Sequence, residues 1–236
     1  MRLLLLASLA AALLGGARSA AAQADVALVL AVDVSGSVND ARFRLQREGI
    51  AQALDSDDFA AVVSSGGHGA IEVAVIEWAE EQRVVVPWVV VRGRQDLAQI
   101  AARLRSAPRS WVHSRTDPSG GIAAAGALFP KAPLEPERQV IDVSGDGEQN
   151  AGEIPSAEAR DAAVAHGITI NGLPITSGDN PHVDEWYRAN VVGGPGHFMV
   201  VADGFDAFAD AFRRKLSIEV AATAPAARFA LLHDWR

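Results

Sequence analysis

Continuous apolar runs alternate with amphipathic stretches along most of the chain. Residues 26–32 are apolar without interruption, which is typical of a strand covered on both faces of a sheet. The apolar runs that follow predict further strands. The predicted strands after the first lie at residues 71–78, 83–91, 140–144, 168–175 and 198–201.

The segments between these strands predict helices. Asn39 is a predicted N-cap for a helix that continues to about Leu54. Asp117 and Pro118 supply an N-cap and a first-turn proline for another helix, which Pro130 ends. The remaining predicted helices cover residues 59–64, 96–104, 156–166, 183–189 and 205–216.

Strands alternating with helices predict an α/β fold: a doubly wound, mostly parallel sheet with helices on both faces. One pair of strands is expected to be antiparallel, because only residues 79–82 separate the second strand from the third. Pro87 lies inside the third strand and cannot donate a hydrogen bond to a neighbour. The third strand is therefore predicted to be the antiparallel edge of the sheet.

The two ends of the chain are predicted to lie outside the folded domain. Arg2 precedes an apolar stretch at residues 3–14 that is too short to span a bilayer, and Ala22-Gln23-Ala24 matches a signal-peptidase site. Cleavage after Ala24 is predicted, with cleavage after Ala22 as the alternative. No later apolar run approaches the roughly 20 residues of a membrane span. The predicted division is a signal peptide at 1–24, one domain at 25–217 and a C-terminal tail at 218–236.

Composition narrows the classes of function. The 236-residue chain carries a formal net charge of −8, and removal of the signal peptide takes away two arginines and no acid. An acidic protein is a poor candidate for binding nucleic acid or an anionic membrane. The absence of cysteine excludes a thiolate metal site and a thiol nucleophile.

The first candidate site follows the first strand directly. Asp33, Ser35 and Ser37 place one carboxylate and two hydroxyls in a tight turn. Hard oxygen donors of this kind suit Mg²⁺ or Mn²⁺ better than zinc or copper. The alternative is a Ser/Gly-rich turn in which Asp33 caps the next helix.

Two distant segments are predicted to reach the same place. Thr116 stands just before a predicted helix, and Asp146 follows the strand at 140–144. In parallel sheets, ligands bind beyond the carboxyl ends of the strands, where the strand order switches. If strands 26–32 and 140–144 are neighbours, Asp33 and Asp146 meet at that crevice.

These residues together resemble a known site. Asp33-Val34-Ser35-Gly36-Ser37, Thr116 and Asp146-Gly147 are similar to the metal-ion-dependent adhesion site of von Willebrand factor A domains and integrin inserted domains, over roughly residues 25–217. The chain also resembles a bacterial family of exported von Willebrand A-like proteins of unknown function. That likeness lies in Val86-Pro87-Trp88 and in residues 140–147, 168–174 and 193–196.

The resemblance implies a role for each site residue. Ser35, Ser37 and Thr116 would bind the metal directly, whereas Asp33 and Asp146 would act largely through water. Two carboxylates only balance a divalent charge and neutral hydroxyls add nothing, so the cation stays electrophilic. The expected function is therefore Mg²⁺- or Mn²⁺-dependent binding of an Asp or Glu of a partner protein, without catalysis. The signal peptide and the family together favour the periplasm over the external medium.

Two alternatives stay open. Residues 144–150 resemble the last acidic motif of haloacid-dehalogenase-type phosphatases, which would make the chain a Mg²⁺-dependent phosphatase-like hydrolase. Those enzymes carry a second Asp two residues after the nucleophile, where this chain has Ser35. The other alternative is a structural domain with a vacant site. Serine hydrolase and zinc-protease motifs are absent from the sequence, and the six histidines are interpreted as loop or capping residues.

The surroundings of the site are predicted to set its specificity. Segments 110–116, 147–153 and 176–186 are expected to form a rim that includes Glu148, with Trp111 and Trp186 as candidate partner contacts. Asp142 lies in a strand expected to be buried, so it is either a hydrogen-bonded structural acid or a support for the Asp146 loop. By analogy with integrin-like relatives, the last helix is hypothesised to shift when a ligand binds.

Overall fold

The computed structural model describes residues 22–221, and most of the predicted signal peptide and tail lie outside them. Eight strands are present in the described part. They are β1 (Gln23–Ala24), β2 (Val26–Asp33), β3 (Ile71–Trp78), β4 (Gln82–Val91), β5 (Glu135–Pro136), β6 (Gln139–Gly145), β7 (Ile168–Thr176) and β8 (Ala202–Asp203).

Seven α-helices connect or flank these strands within the described residues. They are α1 (Asp40–Leu54), α2 (Asp57–Ser64), α3 (Arg94–Ser106), α4 (Pro118–Gly126), α5 (Ser156–Ala165), α6 (Val183–Asn190) and α7 (Phe208–Ala221). Short 3₁₀ helices precede β5 and α7, at Phe129–Lys131 and Phe205–Ala207.

Six strands form the central sheet in the order β4-β3-β2-β6-β7-β8, and β1 pairs separately with β5. β4 is antiparallel to β3, and every other neighbouring pair in the sheet is parallel. This confirms the predicted α/β fold with its single antiparallel edge strand. The short link at residues 79–81 explains the exception, because a parallel pair needs a long crossover.

Alternate residues of β2 enter two separate apolar cores. Leu28 and Leu30 pack on the face covered by α1, α2, α3 and α7, whereas Ala27 and Val29 pack on the face covered by α4, α5 and α6. All eight residues of β2 are buried. Burial on both faces is why residues 26–32 are apolar without polar alternation.

The prediction for the last strand was wrong in position. Residues 198–201 make only one bridge, between Met199 and Gly172, and the strand itself is β8. Gly194 and Gly196 both have positive φ, at 91° and 69°, and turn the chain just before this segment. The Asn171 side chain also accepts the Phe198 N–H at 2.8 Å, so this donor is not available to the β7 backbone.

The ends of the domain also differ from the predicted boundaries. Residues 23–24 form β1, so the last part of the predicted signal peptide pairs with β5. At the other end, α7 continues to Ala221, into the predicted tail. Glu219 and Val220 are both buried, which places this stretch in the packed domain. Within residues 22–221, none of the helices combines the length and apolarity that crossing a membrane requires.

Candidate metal centre

β2 and β6 lie side by side, with Val32 in register with Ser144. Asp33 ends β2, and Asp146 directly follows β6. The carboxyl ends of the two central strands therefore bring both acids to one edge of the sheet, as the sequence predicted.

Hydrogen bonds join the two loops at this edge. The Ser35 N–H donates to Asp33 Oδ1 at 2.7 Å, and the Ser35 and Ser37 hydroxyl oxygens are 3.3 Å apart. The Ser37 hydroxyl donates to Asp146 Oδ1 at 2.6 Å. Asp33, Ser35 and Asp146 are buried, whereas Ser37 is exposed, so the cluster opens to solvent at Ser37.

Thr116 reaches the cluster from a third loop. Its N–H donates to Asn150 Oδ1 at 2.8 Å, and its carbonyl accepts the Asn150 and Ala151 N–H groups at 2.9 and 3.0 Å. The Thr116 hydroxyl oxygen lies 3.7 Å from the point where a Cβ on Gly147 would stand. The threonine hydroxyl is therefore held beside the Asp146-Gly147 turn.

Two helices begin at the site, as their capping residues predicted. Asn39 Oδ1 accepts the N–H groups of Ala41 and Arg42, both at 3.0 Å, and starts α1 two residues after Ser37. Asp117 accepts the Gly120 N–H at 3.1 Å and starts α4 next to Thr116. Capping fixes the direction in which the chain leaves each of these loops.

The carboxyl groups of Asp33 and Asp146 lie close together in a buried environment. Burial, and then the charge of Asp146, raise the pKa of Asp33 to about 7. Burial also raises the pKa of Asp146, against the lowering effects of the Ser37 hydrogen bond and of Arg42. Asp33 Oδ2 is buried and has no hydrogen-bond partner in the described part of the chain.

These features fit a hard divalent cation. The donors of the cluster are all oxygens, the ligand type that Mg²⁺ and Mn²⁺ prefer. A buried carboxylate oxygen without a partner is costly, and a cation nearby would remove that cost. The same positive charge would relieve the repulsion between Asp33 and Asp146.

Sequence reasoning missed two arginines that hold the site. Arg42 donates to the Ser37 carbonyl at 2.8 Å and to Asp146 Oδ2 at 3.3 Å. Arg109 donates to the Val34 and Ser35 carbonyls at 3.1 and 3.3 Å, and also to the Val38 carbonyl. Neither arginine belongs to a local motif, so the sequence held no signal for these contacts.

All three segments predicted as the rim touch the site. The Gly36 N–H donates to the Ser114 carbonyl at 2.8 Å, and Asn150 pairs with Thr116. Asn180 donates to the Asp146 carbonyl at 3.3 Å. Each of the three loops is therefore tied to the residues it surrounds.

The candidate contact residues differ in their surroundings. Trp111 is half-buried, with the Arg83 guanidinium 5.3 Å from its ring centre, and Glu148 is exposed. Trp186 is half-buried against the apolar core and contacts the Tyr187 ring at 5.8 Å between centroids. Trp186 is thus part of the packing below the rim as well as a neighbour of the site.

Asp142 lies away from the Asp146 loop. Its carboxylate is 2.7 Å from Lys215 Nζ on α7, and both side chains are buried. The structure therefore favours the interpretation of Asp142 as a structural acid and gives no contact for a supporting role at the Asp146 loop.

A second group of metal-ligand type lies at the opposite end of β2. Ligand atoms of Asp25, His68 and Glu137 are all within 4.8 Å of one another. Asp25 Oδ1 accepts the His68 N–H at 2.9 Å, and His68 Nε2 is 3.0 Å from Glu137 Oε1. The interpretation of His68 as an ordinary loop residue missed this contact, because its partners are distant in the sequence. As it stands, the group is a hydrogen-bonded pair of His68 and Glu137 beside the buried, turn-forming Asp25.

The sheet order and the flanking helices give the chain a von Willebrand A-like fold. A model of one family, described as protein of unknown function (DUF1194), matches residues 23–224, and the chain belongs to that family. A search of curated protein sequences found no match.

Similar solved structures support the fold. A von Willebrand factor type A protein from Catenulispora acidiphila is 16% identical with a TM-score of 0.58, over 84% of this chain and 43% of that one. Proximal thread matrix protein 1 from the mussel byssus, with a zinc-occupied metal-ion-dependent adhesion site (MIDAS) motif, is 16% identical with a TM-score of 0.59. The match covers 85% of this chain and 49% of that one. BatB from Bacteroides thetaiotaomicron is 19% identical with a TM-score of 0.58, over 84% and 99%. The chain thus spans less than half the length of the first two proteins.

Proposed function

We propose that this protein is a divalent-cation-dependent recognition domain that binds an acidic side chain of a partner protein. Ser35, Ser37 and Thr116 would hold Mg²⁺ or Mn²⁺ directly, and Asp33 and Asp146 would act largely through water. A bound cation would supply an open coordination position for a carboxylate oxygen.

The observation that carries the proposal is the contact between distant loops. Ser37 donates to Asp146 at 2.6 Å, and Asp33 Oδ2 lies buried beside them without a partner. The charge balance supports binding over catalysis, because two carboxylates only neutralise the cation and leave it able to attract a third. The zinc-occupied MIDAS motif of the mussel protein, whose fold is similar, supports a metal at this place.

The surface around the opening suits a protein partner. Ser37 is the exposed member of the cluster, and the three rim loops surround it. Because these loops are hydrogen-bonded to the site residues, a partner that contacts the rim would also meet the cation. The rim would then select the partner, and the cation would anchor its carboxylate.

Calorimetric titration with Mg²⁺ and with Mn²⁺ tests the metal site. We expect saturable binding by the wild type and its loss in Asp146→Asn, which keeps the shape of the side chain but removes the charge. Ser37→Ala should weaken binding without removing a charge. His68→Ala is the matched control, because it changes only the second group, and it should bind Mg²⁺ as the wild type does. No binding by the wild type, or equal binding by Asp146→Asn, would overturn the site.

Capture from an extract of the native host tests recognition. The immobilised wild-type protein should retain a partner in Mg²⁺ and release it in EDTA, and Asp146→Asn should retain none. Equal retention of the partner in Mg²⁺ and in EDTA would show that binding does not depend on the cation. A phosphatase screen in Mg²⁺ tests the enzymatic alternative. Turnover by the wild type that is lost in Asp33→Ala would support a hydrolase and contradict the recognition proposal.

We also propose that the protein works after export, in the periplasm of its host. The proposal rests on Arg2, the apolar stretch at 3–14 and the cleavage motif before Asp25. Cell fractionation with and without residues 1–22 tests it, and cytoplasmic retention of the intact chain would contradict it.

A further inference from the structure

The only tyrosine of the chain, Tyr187, is completely buried below the metal centre. It lies on α6, and its ring packs in the core on that face of the sheet. The hydroxyl group has no hydrogen-bond partner among the described residues. A phenylalanine would fill the same core without this cost, so packing alone gives no reason for the oxygen.

The unpaired hydroxyl and the unpaired oxygen of Asp33 both lie beside Gly145. A Cβ at Gly145 would stand 2.5 Å from Tyr187 Oη and 2.7 Å from Asp33 Oδ2. Both oxygens therefore border the space that the missing side chain of Gly145 leaves open. Each is buried, and each lacks a partner.

The chemistry of the two groups is complementary. An ionised carboxylate only accepts hydrogen bonds, and a phenol can donate one. Burial, and then the charges of Asp33, Asp146 and Asp142, raise the pKa of Tyr187 well above its ordinary value, so the hydroxyl keeps its proton. The protonated hydroxyl can therefore donate a hydrogen bond to a neighbouring acidic side chain.

We propose that Tyr187 is a positioning residue of the metal centre, which donates a hydrogen bond to Asp33 Oδ2, directly or through one water, when the cation is bound. The inference rests on the proposed function, because it assigns Tyr187 to orienting the Asp33 carboxyl group at the cation site. Groups that orient metal-binding side chains in this way typically change metal affinity by about 10- to 100-fold when they are removed.

Tyr187→Phe tests the inference, because it removes one oxygen and keeps the ring. A residue that only packs the core should lose little or nothing in cation binding. A positioning residue should lose affinity while the cation-free protein becomes no less stable, because the variant removes a buried hydroxyl without a partner. Weaker cation binding together with unchanged or higher stability is therefore expected only if the tyrosine oxygen supports the metal centre.

The experiment compares wild type, Tyr187→Phe and Arg188→Gln, a control on the exposed side of the same helix. Mg²⁺ and Mn²⁺ alone are the probes in calorimetry, and urea unfolding in EDTA measures stability. We expect Tyr187→Phe to bind about ten-fold more weakly or worse, with an unfolding midpoint at or above that of the wild type. Arg188→Gln should bind normally.

Equal affinity in the wild type and Tyr187→Phe overturns the inference and leaves the proposed function in place. Weaker binding accompanied by a lower unfolding midpoint in EDTA also overturns it, because a structural role then explains both changes. If the wild type binds neither cation, the proposed function fails and the inference fails with it.

Discussion

Lys215 on α7 lies 2.7 Å from the carboxylate of Asp142 on β6, and neither side chain is exposed by more than 2%. The same ammonium is 2.8 Å from Glu219, which in turn accepts a hydrogen bond from Asn171 on β7 at 2.7 Å. The last helix is thus bound to two strands of the sheet by buried charge. Any shift of α7 of the kind hypothesised from integrin-like relatives would have to separate Lys215 from Asp142.

Lys215→Met should destabilise the fold strongly. The change leaves the buried Glu219 without its cation and removes the contact of Lys215 with Asp142, and breaking a buried ion pair such as Lys215–Glu219 typically costs about 3–5 kcal/mol. Urea unfolding at pH 7 measures the loss. Arg213→Gln on the same helix breaks an exposed ion pair with Asp210 and should cost no more than about 1 kcal/mol. Equal losses of stability in the two variants would show that the buried ion pair contributes no more than the exposed one.

Stability should also fall as the pH rises. Burial, and then the charge of Glu219, raise the pKa of Asp142 from 3.8 to about 8, against the opposing effect of Lys215. Between these values the unfolded chain has released the proton and the folded chain still holds it, so raising the pH favours unfolding. This contribution is fully present below pH 3.8 and lost as the pH passes about 8.

Urea unfolding in EDTA between pH 5 and 9 measures the slope. Asp142→Asn mimics the neutral acid and should flatten the decline that remains above pH 7. The metal-free Asp33 contributes a slope of the same sign, which ends near its pKa of about 7. An unchanged slope in Asp142→Asn above that pH would contradict the assignment to Asp142.

Local pattern and strand geometry were enough to predict that Asp33 and Asp146 lie at one edge of the sheet. The apolar run of β2 predicts a strand buried on both faces, and parallel strands end at a common edge. Asp33 and Asp146 could therefore be expected to meet, although 113 residues separate them. The caps at Asn39 and Asp117 have local signatures and were placed correctly.

The residues that support the site could not be predicted in the same way. Arg109 and Tyr187 reach the metal centre only after α3 and α6 have packed on opposite faces of the sheet. The cost of burying Asp142 was visible in the sequence, but its partner Lys215 was not, because helix periodicity does not show which strand a lysine will meet. Displacement of the last strand to β8 follows from a side-chain contact of Asn171, which no periodicity reports.

The first residue of the exported protein should be Gln23. The Ala24 carbonyl accepts the Glu137 N–H at 2.9 Å, and Ala24 is completely buried in β1. Cleavage after Ala24 would remove β1, whereas cleavage after Ala22 keeps it. Intact mass and N-terminal sequencing of the protein from a periplasmic fraction measure the site. A chain that begins at Asp25 would contradict the prediction.

Arg109→Lys should weaken cation binding although Arg109 contacts the serine turn only through backbone carbonyls. Its guanidinium donates to the carbonyls of Val34, Ser35 and Val38 and so fixes the backbone that carries the serines. A lysine keeps the charge but lacks the planar fork that can serve several carbonyls at once. We expect about ten-fold weaker Mg²⁺ binding and faster amide exchange at residues 34–38. Arg103→Lys, at an exposed position of α3, the helix that precedes the loop carrying Arg109, should change neither measurement. Wild-type affinity in Arg109→Lys would mean that the turn holds its shape without the arginine.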